Sequence, residues 1–208
     1  RYFAILGGMV LVALPLVWRF AMSEYQKDRI VALFNLDNVD VQVNEGYQQY
    51  QGMISIGSGK VTGQGLFNGS RVASNSVPFQ QSDYIFSVAG EELGLVGCSL
   101  IILLLFLLLV KVIHVADSSR DDLGKFICFG YFGIIALQSV SNIGMCLALL
   151  PVMGVTLPFF SAGGSSAACM YFGIGLVQSV YMRRKESDGL RLKRKLPMRI
   201  PYGQMKET

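Results

Sequence analysis

The 208-residue chain is 52% hydrophobic and only 15% charged, with a mean hydropathy of +0.46. Soluble domains carry about a quarter charged residues, so this balance excludes an ordinary soluble protein and points to a bilayer. The net charge is +4, but nine of the eighteen Lys and Arg lie in the last 26 residues; beside a membrane span such a cluster suits anionic lipid, and no nucleic-acid partner is expected.

The apolar runs predict an all-α polytopic membrane protein with four transmembrane helices. The first covers 1–18. It ends on Trp18-Arg19 without a small-residue cleavage site, so it reads as a span and not as a signal peptide, and Pro15 would kink it. The others cover 86–115, 126–150 and 165–182, each near the ~20 apolar residues a helix needs to cross the hydrocarbon core. The basic tail 183–208 reads as cytoplasmic by the positive-inside rule. Four spans then place both termini and the short loop 116–125 in the cytoplasm, and the loops 19–85 and 151–164 outside.

The loop 19–85 is far longer than a connector needs to be. Ser23-Glu24-Tyr25-Gln26 fits a capping box, and Arg29-Ile30-Val31-Ala32-Leu33-Phe34 an amphipathic stretch lying on the bilayer. A second short helix follows Gly46, with Tyr47, Tyr50 and Ile54 expected on its packed face. Then come Gly57, Gly59, Gly63, Gly65 and Gly69. Glycines at this density serve either as turns or for close backbone approach to a ligand. Gly57-Ser58-Gly59-Lys60-Val61-Thr62-Gly63 is not a Walker loop, because Val61 stands where Ser or Thr must follow Gly-Lys; Thr62 likewise breaks the dinucleotide pattern.

Asp83 sits where the loop re-enters the membrane, in Ser82-Asp83-Tyr84-Ile85-Phe86. Its type and place fit a helix N-cap or an acid working at the membrane surface. Glu91 and Glu92 lie about two turns further on, where carboxylates are costly. They either line a cavity beneath Asp83, roughly 12 Å away along a helix, or pack at the interface. Cys98, Cys128, Cys146 and Cys169 all fall in predicted spans and show neither a disulfide framework nor zinc-ligand spacing. His114, the single histidine, forms no metal site or triad. Asn142 reads as an interhelical hydrogen-bonding group. Near the last span, Ser161, Gly163 and Gly164 offer small residues and a helix N-terminus for an anionic contact.

Together these blocks spell a family. Gly46-Tyr47-Gln48, Ile56-Gly57-Ser58-Gly59, Gly63-Gln64-Gly65-Leu66, Ser82-Asp83-Tyr84-Ile85-Phe86 and Glu91-Glu92-Leu93-Gly94 occur in order. Gln138, Asn142-Ile143-Gly144-Met145, Leu150-Pro151-Val152-Met153-Gly154 and Leu157-Pro158-Phe159-Phe160-Ser161-Ala162-Gly163-Gly164 follow. The chain resembles the RodA/FtsW/SpoVE family of shape, elongation, division and sporulation proteins. The resemblance implies the last four spans of a ten-span bundle in the bacterial cytoplasmic membrane. It also implies a peptidoglycan glycosyltransferase that polymerises lipid II, the undecaprenyl-diphosphate-linked disaccharide pentapeptide. The expected partners are a class B penicillin-binding protein and other division, elongation or sporulation proteins.

The resemblance further places an essential acid at Asp83, as general base. Lys60, Arg71, Glu91, Glu92, Ser161, Gly163 and Gly164 are the candidate substrate-binding positions. No cofactor is firmly implied, although a divalent cation (Mg or Mn) shared with Asp83 is compatible with the chemistry. The chain departs from the family pattern at Asn35-Leu36, at Gly59-Lys60, at Val77-Pro78-Phe79-Gln80-Gln81, where a second carboxylate is usual, and at Ala162, where tyrosine is common. A lipid-linked precursor flippase and a non-catalytic scaffold are the alternative functions.

Overall fold

The computed structural model describes residues 8, 9, 13, 15–36, 38–44, 46–74 and 76–183. Most of the predicted first span, and the tail beyond Arg183, lie outside the described residues. Among the described residues the fold is helical, without strands. A π-helical turn α1 (Val17–Ala21) leads into α2 (Glu24–Phe34), α3 (Val39–Val43), α4 (Tyr47–Ser58) and α5 (Ser70–Ala73). Three longer helices follow: α6 (Ile85–Asp117), α7 (Asp122–Cys146) and α8 (Gly164–Met182).

Local chemistry starts the early helices. The Ser23 N–H donates to Gln26 Oε1 over 3.1 Å, which is the reciprocal half of the capping box anticipated at α2. Asn38 caps α3 by accepting from the Asp40 N–H at 3.0 Å. For α4 the packed face differs from the expected one. Gln49, Gly52 and Ser55 are the buried positions, whereas Tyr47, Tyr50 and Ile54 are only half-buried. Small and polar residues face inward because α4 packs tightly on the start of α6: a Cβ added at Gly52 would stand 2.9 Å from the Tyr84 ring.

Helices α6 and α7 are each long and apolar enough to cross a bilayer. They pack against each other, and α8 completes the bundle. One core, at the end nearer Asp83, is built from Tyr84, Phe86, Ile101, Met145 and Leu157; the other gathers Val115, Cys128, Tyr131, Met170 and Val177. Tyr131 donates to the Met170 carbonyl over 2.6 Å, pinning α7 to α8. Outward, α6 and α7 present Leu103, Phe106, Leu137 and Val140 at half exposure or so, and such a surface belongs in acyl chains rather than in water. The protein is a multi-pass membrane protein of helical architecture. Helix α7 begins before the predicted 126, and Asp122 pairs with Lys125 at 3.0 Å in the added first turn. It also stops before 150, where Ala148 takes a positive φ of 53° and the Leu149 and Leu150 N–H groups turn back to the Gly144 carbonyl.

Helix α6 is broken at Gly94, whose φ of 67° and ψ of −162° are not helical. In an unbroken helix the N–H groups of Leu95 and Val96 would bond the Glu91 and Glu92 carbonyls. Instead they donate to the Lys60 and Val61 carbonyls at 2.9 and 3.2 Å. The orphaned Glu91 and Glu92 carbonyls accept from the N–H groups of Gln64 and Gly65, both at 3.0 Å. The glycine-rich segment is thus knitted into the break and satisfies four backbone groups that a bilayer would leave unpaired. Such an approach needs Gly63, at φ 77°, because a Cβ there would overlap the Glu92 carbonyl. The close approach expected of these glycines is made to the protein's own helix.

Candidate active site

Asp83 lies in a turn just ahead of α6. The N–H groups of Ser82, Asp83 and Tyr84 all converge on the Phe79 carbonyl, at 3.1, 3.0 and 3.3 Å. The cap position of α6 is Tyr84, without a side-chain cap bond. Among the described residues no hydrogen bond or ion pair occupies the Asp83 carboxylate, which is half-buried. The acid is therefore not consumed as a helix cap. Its Oδ2 faces the loop between α7 and α8, 3.6 Å from where a Cβ on Gly154 would stand.

Cross-links hold that loop and the Asp83 turn together. Asn142, fully buried in α7, donates to the Asp83 carbonyl and to the Val155 carbonyl, both at 2.7 Å. The Ala162 N–H donates to the Gln81 carbonyl at 2.9 Å. From α4, buried Gln49 donates to the Leu150 carbonyl at 2.6 Å. From α2, Arg29 reaches the Val152 carbonyl at 2.8 Å, while its guanidinium stacks 4.3 Å from the Tyr25 ring centre and also donates to the Tyr25 hydroxyl. Burial pushes the Tyr84 phenol well above its ordinary range; Cys146 and Asp83 add to the rise and the Arg29 charge opposes it. The charges of Arg29 and Asp83 therefore both reach Tyr84. Sequence reasoning took Arg29 only as part of an amphipathic helix and Asn142 only as a link between helices. The bonds of Arg29 to the Val152 carbonyl and of Asn142 to the Asp83 carbonyl span 123 and 59 positions, and no residue spacing announces them.

The other anticipated residues are placed differently. Glu91 is fully buried, and its Oε1 accepts the Arg71 N–H at 2.8 Å, at the start of α5. The Arg71 guanidinium donates to Ser55 Oγ at 3.2 Å and to Gln51. Lys60 is exposed at φ 50° and gives its carbonyl to the α6 break. Glu92 is buried beside that break. Ser161 Oγ accepts the Leu157 N–H at 2.7 Å, Gly163 is the cap residue of α8, and Gly164 begins that helix. The geometry thus brings Asp83 together with the 151–163 loop, whereas Glu91 and Arg71 are joined at α5 by bonds within the protein. Among the described residues no three His, Cys, Asp or Glu side chains converge as a metal cage.

The family model for a cell cycle protein, FtsW/RodA/SpoVE, matches residues 1–186. The chain belongs to this family. It is similar to the peptidoglycan glycosyltransferase MrdB of Escherichia coli (strain K12), at 36% identity over 180 residues, covering 86% of this chain and 48% of that protein. Stage V sporulation protein E of Bacillus subtilis (strain 168) is 39% identical over 138 residues, covering 66% of this chain and 37% of that protein. A solved structure concerning the coordination of polymerization and crosslinking by a peptidoglycan synthase complex contains a similar chain. The TM-score is 0.66 and the identity 27%, over 89% of this chain and 51% of that one. The chain spans about half the length of the curated family members it matches.

Proposed function

We propose that this chain carries the catalytic acid of a peptidoglycan glycosyltransferase that polymerises lipid II, with Asp83 as general base. The observation that carries the reading is a half-buried carboxylate with no structural partner among the described residues, in a turn held from three sides. In the reaction the acceptor sugar's 4-hydroxyl attacks the anomeric carbon of the donor. Its proton passes to Asp83, the new glycosidic bond forms, and the bond to the diphosphate breaks, so the lipid diphosphate leaves with the electron pair. Proton removal by a placed carboxylate contributes about 10²–10⁴-fold.

In this reading the Asp83 end of the bundle faces outward and both termini are cytoplasmic. The chain supplies four spans of a ten-span bundle and works with a class B penicillin-binding protein and other division, elongation or sporulation proteins. Lys60 is an exposed cation of the loop and the candidate for the diphosphate, with the Ser161–Gly164 segment at the start of α8 as a second contact. Arg71, Glu91 and Glu92 act at one remove, by shaping the loop. Asp83 is the residue that would hold a divalent cation such as Mg or Mn, whose charge would offset that of the departing diphosphate. The flippase alternative needs intramembrane polar groups free to meet a headgroup, and the Glu91 and Asn142 contacts to backbone weigh against it.

The test is the natural gene product with its penicillin-binding partner, given labelled lipid II both in detergent and in sealed vesicles. Glycan chains are the expected product. Transport of lipid II without chains would replace this reading with the flippase, and neither activity from a folded complex would replace it with the scaffold.

A further inference from the structure

Three segments distant in sequence meet at one buried side chain. Asn142 is fully buried, and its amide nitrogen has two backbone acceptors, the carbonyls of Asp83 and Val155, at 2.7 Å each. Two acceptors fix the amide's orientation, because only the nitrogen can donate to both. One partner is the residue that bears the acid. The other adjoins Gly154, which lines the space in front of Asp83 Oδ2. Cys146, one turn further along α7, sits 3.8 Å from the same Asp83 carbonyl. The Asn142 amide therefore ties the acid directly to the wall opposite it, alongside the bond from the Ala162 N–H to the Gln81 carbonyl. It hangs from α7, a packed helix, and not from a loop.

We propose that Asn142 is the positioning residue of the active site: it touches no substrate, but holds Asp83 and the 151–163 loop at the separation the proton transfer requires. The inference rests on the reading of Asp83 as general base. Losing the amide leaves the Val155 carbonyl without a donor and the Asp83 carbonyl with only the Cys146 thiol, and removes the tie between the turn and the Val155 part of the loop. A displacement of about 1 Å at a reacting group can cost about 10²-fold.

The test uses the natural gene product with its partner and compares wild type, Asp83→Asn, Asn142→Leu, Asn142→Ser and the double variant Asp83→Asn/Asn142→Leu. Lipid II polymerisation is the readout, with the folded fraction taken from size-exclusion in detergent. Asn142→Leu is expected to lower kcat by about 10–100-fold with KM little changed. Asn142→Ser, which keeps one donor, falls between it and wild type. The double variant is expected to be no slower than Asp83→Asn alone, because positioning has no value once the base is gone. A merely structural role would instead reduce the folded fraction, leave kcat per folded molecule unchanged, and lower the rate further in the double variant; that result overturns the proposal. Should the leucine variant not fold, the serine variant decides by the same split. If wild type makes no polymer, or Asp83→Asn makes as much as wild type, the base reading falls and this proposal with it. A dead Asp83→Asn beside a fully active Asn142→Leu removes this proposal alone.

Discussion

Replacing Gly63 by alanine tests the knitted break in α6. The residue sits at φ 77°, and a Cβ there would overlap the Glu92 carbonyl, a backbone atom that no rotamer change can move aside. A left-handed backbone costs a non-glycine residue about 1–2 kcal/mol. The overlap also pushes the segment off α6, where four backbone bonds join Lys60, Val61, Gln64 and Gly65 to the helix. At a net value of about 1 kcal/mol each, losing half of them brings the total to about 3–4 kcal/mol. Gly57, six residues earlier in α4, has open space around its Cβ position. Alanine there removes the conformational cost of glycine in a helix and is expected to stabilise by about 0.5–1 kcal/mol. The same added methyl thus has opposite signs at the two sites. Thermal unfolding in detergent, followed by size-exclusion, reads both. A Gly63→Ala protein that melts at or above wild type would refute the account of the break.

Glu91→Gln keeps an oxygen that can accept the Arg71 N–H, so stability and polymerisation are expected to stay near wild type, whereas Glu91→Leu should cost about 1–3 kcal/mol by leaving a part-buried donor unpaired. A large loss of activity in Glu91→Gln with normal stability would make the carboxylate a direct participant instead. Gly154→Ala should lower kcat more than it raises KM, because its methyl would stand 3.6 Å from Asp83 Oδ2 in a backbone with φ 64°; equal kcat would mean the loop does not wall the acid.

Much of this fold was legible in the sequence because its signals are local. The Ser23 and Gln26 pair is three residues apart, and the apolar runs of α6 and α7 are continuous. Asp83 stood out because charge meets hydrocarbon there. The packed face of α4 was misread because apolar periodicity favoured Tyr47, Tyr50 and Ile54, while close packing on α6 selects small Gly52 and Ser55. The break at Gly94 left no sign of its own, since one glycine inside an apolar run reads as helix. Its other half is supplied from some thirty residues away. Asn142 was legible as a hydrogen-bonding group, but not its partner Asp83, which lies 59 positions earlier.

The central claim is that Asp83 takes the acceptor's proton. Its most direct measurement compares lipid II binding and lipid II polymerisation by wild type and Asp83→Asn, in the natural gene product with its penicillin-binding partner. The account predicts that the variant binds lipid II as wild type does and polymerises it at least about 10²-fold more slowly. Glycan chains made by Asp83→Asn at the wild-type rate would contradict it and move the base elsewhere.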